Sequence, residues 1–179
     1  MSRLQDAVAW ATRAHYGQVR DGDDALPYVV HPLEVLSTLR WVAGIRDEDM
    51  LCAAALHDVL EETDLKEGDI RARMGDRVAD LVKELTRTEP GEEQTAGLSK
   101  DEIYQLRSQM LFDEIRKMSP EAQIIKLCDR YSNLREAELT RSKEKIERYK
   151  NQTREILRII PAERSPAVWN RIHEMCGEE

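Results

Sequence analysis

Asp47-Glu48-Asp49-Met50-Leu51-Cys52-Ala53-Ala54-Ala55-Leu56-His57-Asp58-Val59-Leu60 is apolar on nearly every side between Met50 and Leu56, and then turns abruptly polar at His57. An all-round apolar helix has to be buried, so this stretch predicts a central helix starting near Asp47. Helical periodicity continues in both directions. A first helix is expected over about Leu4–Tyr16, with Ala7, Val8, Trp10, Ala11 and Ala14 on its buried face. The segment Gly17 to Val30 carries Gly22 and Pro27 and reads as irregular, and His31-Pro32 opens a second helix because proline suits a helix start. Downstream, helices are expected around Lys66–Met74 and Arg77–Leu85, broken at Gly75. Glu89-Pro90-Gly91-Glu92-Glu93-Gln94 reads as an exposed loop. Ser99-Lys100-Asp101-Glu102 is a capping box, and Ser119-Pro120-Glu121 marks a further helix start. Helices near Ser142–Ile159 and Ser165–Met175 end the chain, and no stretch alternates cleanly enough for a strand. The fold class is therefore all-α, read as one domain over residues 1–179, a length ordinary for a single domain.

Composition narrows the function classes. Hydrophobic residues make up 41% and charged residues 35%, a globular balance. The net charge of -8 disfavours nucleic acid and anionic membranes as partners. No apolar run approaches the length of a membrane span, and Met1-Ser2-Arg3-Leu4 opens no signal-peptide core. Cys52, Cys128 and Cys176 are odd in number and widely spaced, which points to reduced, buried thiols and a cytoplasmic setting.

Three polar groupings interrupt the apolar helices. His57, Asp58, Glu61 and Glu62 fall within two helical turns, with His57 and Glu61 four apart and Asp58 and Glu62 four apart. Carboxylates so crowded oppose one another and raise each other's pKa values, a conflict that a divalent cation removes. A helix end turning into solvent is the plainer account. In Ile125-Lys126-Leu127-Cys128-Asp129-Arg130-Tyr131-Ser132-Asn133-Leu134, Asp129 and Asn133 share a face with Lys126 close by. A carboxylate among apolar neighbours needs a partner, which is either Lys126 or Arg130, or a metal. His31, after Tyr28, sits at a helix start whose dipole favours the neutral imidazole that binds metals; it is otherwise a cap or a ring packed on Tyr28. Taken together, two histidines and two aspartates from separate helices form a mixed nitrogen and oxygen shell suited to Mn²⁺, Fe²⁺ or Zn²⁺. Such an ion acidifies water and polarises a phosphoryl oxygen.

Ala14-His15-Tyr16-Gly17-Gln18-Val19-Arg20, Pro27-Tyr28-Val29-Val30-His31-Pro32, the His57-Asp58 helix and Lys126–Arg135, in this order, resemble the HD superfamily of metal-dependent phosphohydrolases. The finer likeness is to the hydrolase domain of Rel/Spo alarmone enzymes and to stand-alone small alarmone hydrolases, and it spans about Leu4 to Ile160. The resemblance implies a helical bundle with the metal between helices. It implies removal of the 3′-diphosphate from guanosine 3′,5′-bis(diphosphate), with Mn²⁺ as the usual ion, by a chain that is a hydrolase only. His31, His57, Asp58 and Asp129 fall on the ligand positions. Glu61 and Glu62 fall on the acidic pair that handles the attacking water, Arg20 on a base contact, and Asn133 near sugar and phosphates. Lys145 and Tyr149 resemble a basic and a hydroxyl-bearing contact to the phosphates. The chain departs from the family pattern in three places. The acidic pair is Glu-Glu rather than Glu-Asp, Arg20 is followed by the acidic stretch Asp21-Gly22-Asp23-Asp24-Ala25, and Ser132 stands where a histidine is common. These departures leave an adenine alarmone, another nucleotide, or a metal-bearing nucleotide sensor as alternatives to the guanine substrate.

Overall fold

The computed structural model describes residues 2–20 and 23–177. The elements run α1 (Arg3–Ala14), β1 (Val19–Arg20), β2 (Asp23–Pro27), α2 (Val30–Trp41), α3 (Glu48–Leu56), α4 (Val59–Glu62), α5 (Glu67–Met74), α6 (Asp76–Leu85), α7 (Glu92–Thr95), α8 (Lys100–Lys117), α9 (Pro120–Thr140), α10 (Lys143–Ile159) and α11 (Pro166–Cys176), with a 3₁₀ turn at Ala162–Arg164. None of these helices is long and apolar enough to cross a membrane.

The central helix is where its sequence puts it. Every residue of α3 from Met50 to Leu56 is buried, and α1, α2, α6 and α9 pack around it. Its start is fixed by the Asp47 carboxylate, which accepts from the Met50 amide. On α1, Ala7, Trp10 and Ala11 are buried, while Val8 and Ala14 pack at the margin of the core. The second long core helix, α9, starts at Ser119, whose hydroxyl accepts from the Ala122 amide, and Pro120 occupies its first position. It buries Ile125, Leu127, Cys128 and Leu134 completely. Each such large apolar side chain contributes about 2 kcal/mol by leaving water. The three cysteines are free and buried.

Two local features depart from expectation. Val19–Arg20 and Asp23–Pro27 pair as a short antiparallel hairpin, pairing Val19 with Pro27 and Arg20 with Asp23. Its strands are too short and irregular to show alternation. The acidic loop expected after Arg20 begins at Asp21 and Gly22, which lie outside the described residues. A single helical turn, α7, also sits inside the expected loop after Glu89.

The break between α5 and α6 is a backbone requirement. Gly75 adopts φ 91° and ψ 169°, and a Cβ built there meets no atom within 4 Å. The cost of a side chain is therefore conformational rather than steric. Gly75→Ala is expected to lower stability by about 1–3 kcal/mol. Thermal unfolding should show this as a fall of several degrees in melting temperature.

Candidate metal centre and cleft

The helix carrying His57 and Asp58 does not run through them. It ends at Leu56, turns at His57 and Asp58, and resumes as the short α4. The His57 imidazole Nδ1 donates to the Ala54 carbonyl at 2.9 Å, an acceptor that a continued helix would give to the Asp58 amide. The i, i+4 relation expected of Asp58 and Glu62 survives, since the Glu62 amide donates to the Asp58 carbonyl at 2.9 Å, whereas the Glu61 amide reaches the same carbonyl at 3.1 Å rather than that of His57. Glu61 turns instead to Arg87, accepting from its backbone amide at 2.9 Å and from its Nε at 3.0 Å. In exchange, the turn lets two sequence neighbours point at one spot: His57 Nε2 lies 3.1 Å from Asp58 Oδ1.

His31, one residue into α2, and Asp129, in the middle of α9, complete the cluster. Donor atoms of His31, His57 and Asp129 all lie within 4.8 Å of one another. His31 Nε2 is 3.2 Å from Asp129 Oδ1 and 3.6 Å from Asp58 Oδ2. The two imidazole rings meet edge-on, with centroids 5.1 Å apart. Both histidines are almost fully buried, at 3% and 2% exposure, so no bulk water satisfies them.

The ring tautomers follow from the outer partners. The Ala54 carbonyl can only accept, so His57 carries its proton on Nδ1 and presents Nε2 to the cluster. That Nε2 is buried and makes no hydrogen bond among the described residues. At His31, Nδ1 meets the Ser132 hydroxyl at 3.1 Å, and Ser132 donates its own proton to Glu34 Oε2 at 2.8 Å. Ser132 therefore accepts from His31 Nδ1–H, which again leaves Nε2 facing inward. Two inward-facing imidazole nitrogens and the Asp129 carboxylate, with Asp58 beside them, form a donor set that could hold a divalent ion.

The electrostatics of the cluster lead to the same conclusion. Burial pulls the His57 imidazole down, but the negative charges of Asp58 and Asp129 outweigh it and push its pKa up to about 9. Burial opposes ionisation of Asp58 as well, yet His57 and His31 hold its carboxyl below the usual range. Asp129 is likewise held well below it, by Lys126 and then by the imidazoles. The like-charge repulsion expected to raise Asp58 is thus outweighed by the imidazoles beside it. Positive charge is favoured at this point, whether a proton or a metal ion supplies it.

Asp129 divides its two oxygens between a lysine and the imidazoles. Its Oδ2 pairs with Lys126 Nζ at 2.8 Å, both groups buried, while Oδ1 faces the histidines and accepts from the Asn133 amide. Arg130 points elsewhere: its Nη2 donates to Gln152 at 3.0 Å, its Cζ lies 4.3 Å over the Tyr149 ring, and its Nη1 is buried with no hydrogen-bond partner among the described residues.

The cluster opens onto a cleft of about 1010 Å³. Of the residues proposed from sequence, His31, Asp58, Asp129, Glu61, Glu62, Arg20, Asn133 and Tyr149 all line it, and His57 sits just behind its wall. Arg20 donates through Nε to Glu136 at 2.8 Å and through Nη2 to Asn133 at 3.1 Å. Lys145 is the exception. It is exposed, lies in the first turn of α10, and is not among the lining residues. Arg141, just before α10, lines the cleft instead, with its guanidinium 5.3 Å over the Tyr149 ring. Arg87 and Arg107 also line it. These cations, like Tyr28, Glu34 and Glu136, come together only through long-range packing. Tyr28 alone carried a sequence signal, since it lies three residues before His31.

A family model described as HD domain matches residues 7–168. The guanosine-3′,5′-bis(diphosphate) 3′-pyrophosphohydrolase MESH1 of Homo sapiens is 34% identical over 135 residues, covering 75% of this chain and 69% of that protein. The guanosine-3′,5′-bis(diphosphate) 3′-pyrophosphohydrolase of Aquifex aeolicus is 30% identical over 172 residues, 96% of this chain but 23% of the longer relative. Among solved structures, one described as a metazoan orthologue of SpoT that hydrolyses ppGpp superposes with a TM-score of 0.83 at 27% identity, covering 98% of this chain and 94% of that one.

Proposed function

The chain belongs to the HD domain family of metal-dependent phosphohydrolases, and from that premise we propose that it removes the 3′-diphosphate of guanosine 3′,5′-bis(diphosphate), releasing pyrophosphate and GDP (GTP where the 5′ end carries a triphosphate), in the cytoplasm. The observation that carries this reading is the buried His31, His57 and Asp129 cluster, joined by Asp58, at the floor of a cleft edged by arginines.

The residues fit a divalent ion. His31, His57, Asp58 and Asp129 would hold it, and Mn²⁺ is the ion we assign to that mixed shell. When bound, the ion supplies Lewis-acid polarisation of a phosphoryl oxygen and acidification of a water. The remaining work falls to side chains of the protein. Glu62, at the cleft surface, takes the proton of the attacking water. Glu61, fixed by Arg87, keeps that guanidinium beside the cleft and orders the water. Lys126, Arg130 and Arg141 offset the charge that grows on the phosphoryl oxygens, and the unpartnered Nη1 of Arg130 is ready to donate to one. Arg20 and Asn133 hold the nucleoside end, with Tyr149 closing the side wall.

The test is a panel of guanosine and adenosine bis(diphosphates), nucleoside diphosphates and triphosphates, incubated with Mn²⁺ while pyrophosphate release is followed. Release from the guanosine bis(diphosphates) is the expected result. Turnover of the adenosine compounds alone would remove the guanine assignment. Tight binding without turnover of any compound would make the protein a sensor rather than an enzyme.

A further inference from the structure

Tyr28 is absorbed by neither the ligand set nor the acid–base pair, yet its surroundings are unusually complete. Its hydroxyl donates to Asp58 Oδ2 at 2.7 Å. Its ring stacks on His15, with centroids 4.7 Å apart and planes 23° from parallel, and the Arg20 guanidinium lies 4.9 Å from the ring centroid. His15 is itself pinned, its Nδ1 meeting Gln18 Oε1 at 2.7 Å, while the Gln18 amide donates to the Glu62 carbonyl at 2.6 Å. The backbone is fixed as well, since the Tyr28 amide donates to the Gln18 carbonyl at 3.0 Å. A ring so clamped has little freedom to move its hydroxyl.

We propose that Tyr28 is a positioning residue that holds one oxygen of Asp58 so that the other faces the imidazole cluster. Asp58 Oδ1 lies 3.1 Å from His57 Nε2, while Oδ2, the atom Tyr28 holds, lies 3.6 Å from His31 Nε2. Without the hydroxyl, the carboxylate is free to swing Oδ2 onto His31 and close the cluster on itself. Tyr28 also ties the ligand to the substrate side. Contacts run from Asp58 to Tyr28, from Tyr28 to Arg20, from Arg20 to Asn133, and from Asn133 to Asp129. Both carboxylates of the cluster are thus held through one arginine that lines the cleft. Partners of this outer kind fix the geometry of the ligands they touch, and losing one weakens metal binding by about 10–100-fold.

The inference rests on the ligand set proposed above, and the experiment separates the two. Tyr28→Phe keeps the ring and its stack on His15 and removes only the donor. Mn²⁺ affinity is measured by calorimetry on metal-free wild type, Tyr28→Phe and His57→Ala, with the melting temperature of each metal-free protein alongside. Tyr28→Phe is expected to bind Mn²⁺ about tenfold more weakly, with a metal-free melting temperature close to wild type. The Mn²⁺ concentration giving half-maximal turnover should rise by the same factor. Wild-type affinity in Tyr28→Phe, with none in His57→Ala, would overturn the role of Tyr28 and leave the metal site standing. Wild-type affinity in both would overturn the ligand set and the role of Tyr28 with it.

Discussion

His57→Ala is expected to abolish Mn²⁺ binding, the thermal stabilisation that Mn²⁺ gives, and turnover, all three together. His57 Nε2 is buried, aimed at the common centre and without a hydrogen bond among the described residues. Removing it leaves Asp58 and Asp129 facing each other with His31 alone between them. A folded-state ligand at a hundred times its Kd stabilises by about 2.7 kcal/mol. Wild type should therefore melt higher with Mn²⁺ than without, by an amount that grows with the ion's concentration, while His57→Ala should show no shift. The metal-free variant should also melt below metal-free wild type. Asp58 loses its nearest favourable partner, while Asp129 keeps Lys126, and breaking a buried ion pair from one side costs about 3–5 kcal/mol. A His57→Ala protein that still gains stability from Mn²⁺ would show that the ion binds elsewhere.

Much of this site was legible in the sequence, and the reason is physical. Polar residues within apolar helices are conspicuous because burial makes them costly, so His57, Asp58 and Asp129 stood out against Met50–Leu56 and Ile124–Leu134. Helix starts were equally readable where a local side chain closes the cap, as at Ser99 with Glu102 and at Ser119 before Pro120. Features decided by tertiary contact were not readable. Periodicity continues through His57, so nothing local announces that its ring takes the Ala54 carbonyl and ends the helix there. The His31–Ser132–Glu34 relay joins residues about a hundred positions apart, and Ser132 read only as a departure from a family pattern. Lys145 and Tyr149 are four apart and share a helix face, but Lys145 falls in the first exposed turn of α10, beyond the lining of the cleft. At Asp129 the two open accounts were compatible, because a carboxylate has two oxygens and gives one to Lys126 and the other to the cluster.

Glu62→Gln is expected to reduce kcat by about 10²–10⁴-fold, the usual contribution of a general base, with Mn²⁺ affinity unchanged. The separation follows from position. Glu62 lines the cleft but is not part of the His31, His57 and Asp129 cluster, and its backbone carbonyl, rather than its carboxylate, is what Gln18 holds. Glutamine keeps the size and the hydrogen-bonding capacity of the side chain and removes its ability to take a proton, so packing is preserved and only the chemistry is lost. Glu62→Asp tests reach instead. It shortens the second carboxylate of the pair and withdraws it by about an ångström, a displacement that can cost ~10²-fold where the surrounding cleft was shaped for the longer side chain. A rate in Glu62→Asp close to wild type would mean that the water sits where either carboxylate reaches it. A fall comparable to that of Glu62→Gln would mean that this cleft is built around the extra methylene. An unchanged rate in Glu62→Gln would transfer the base role to Glu61, whose bond to Arg87 would then have to open during turnover.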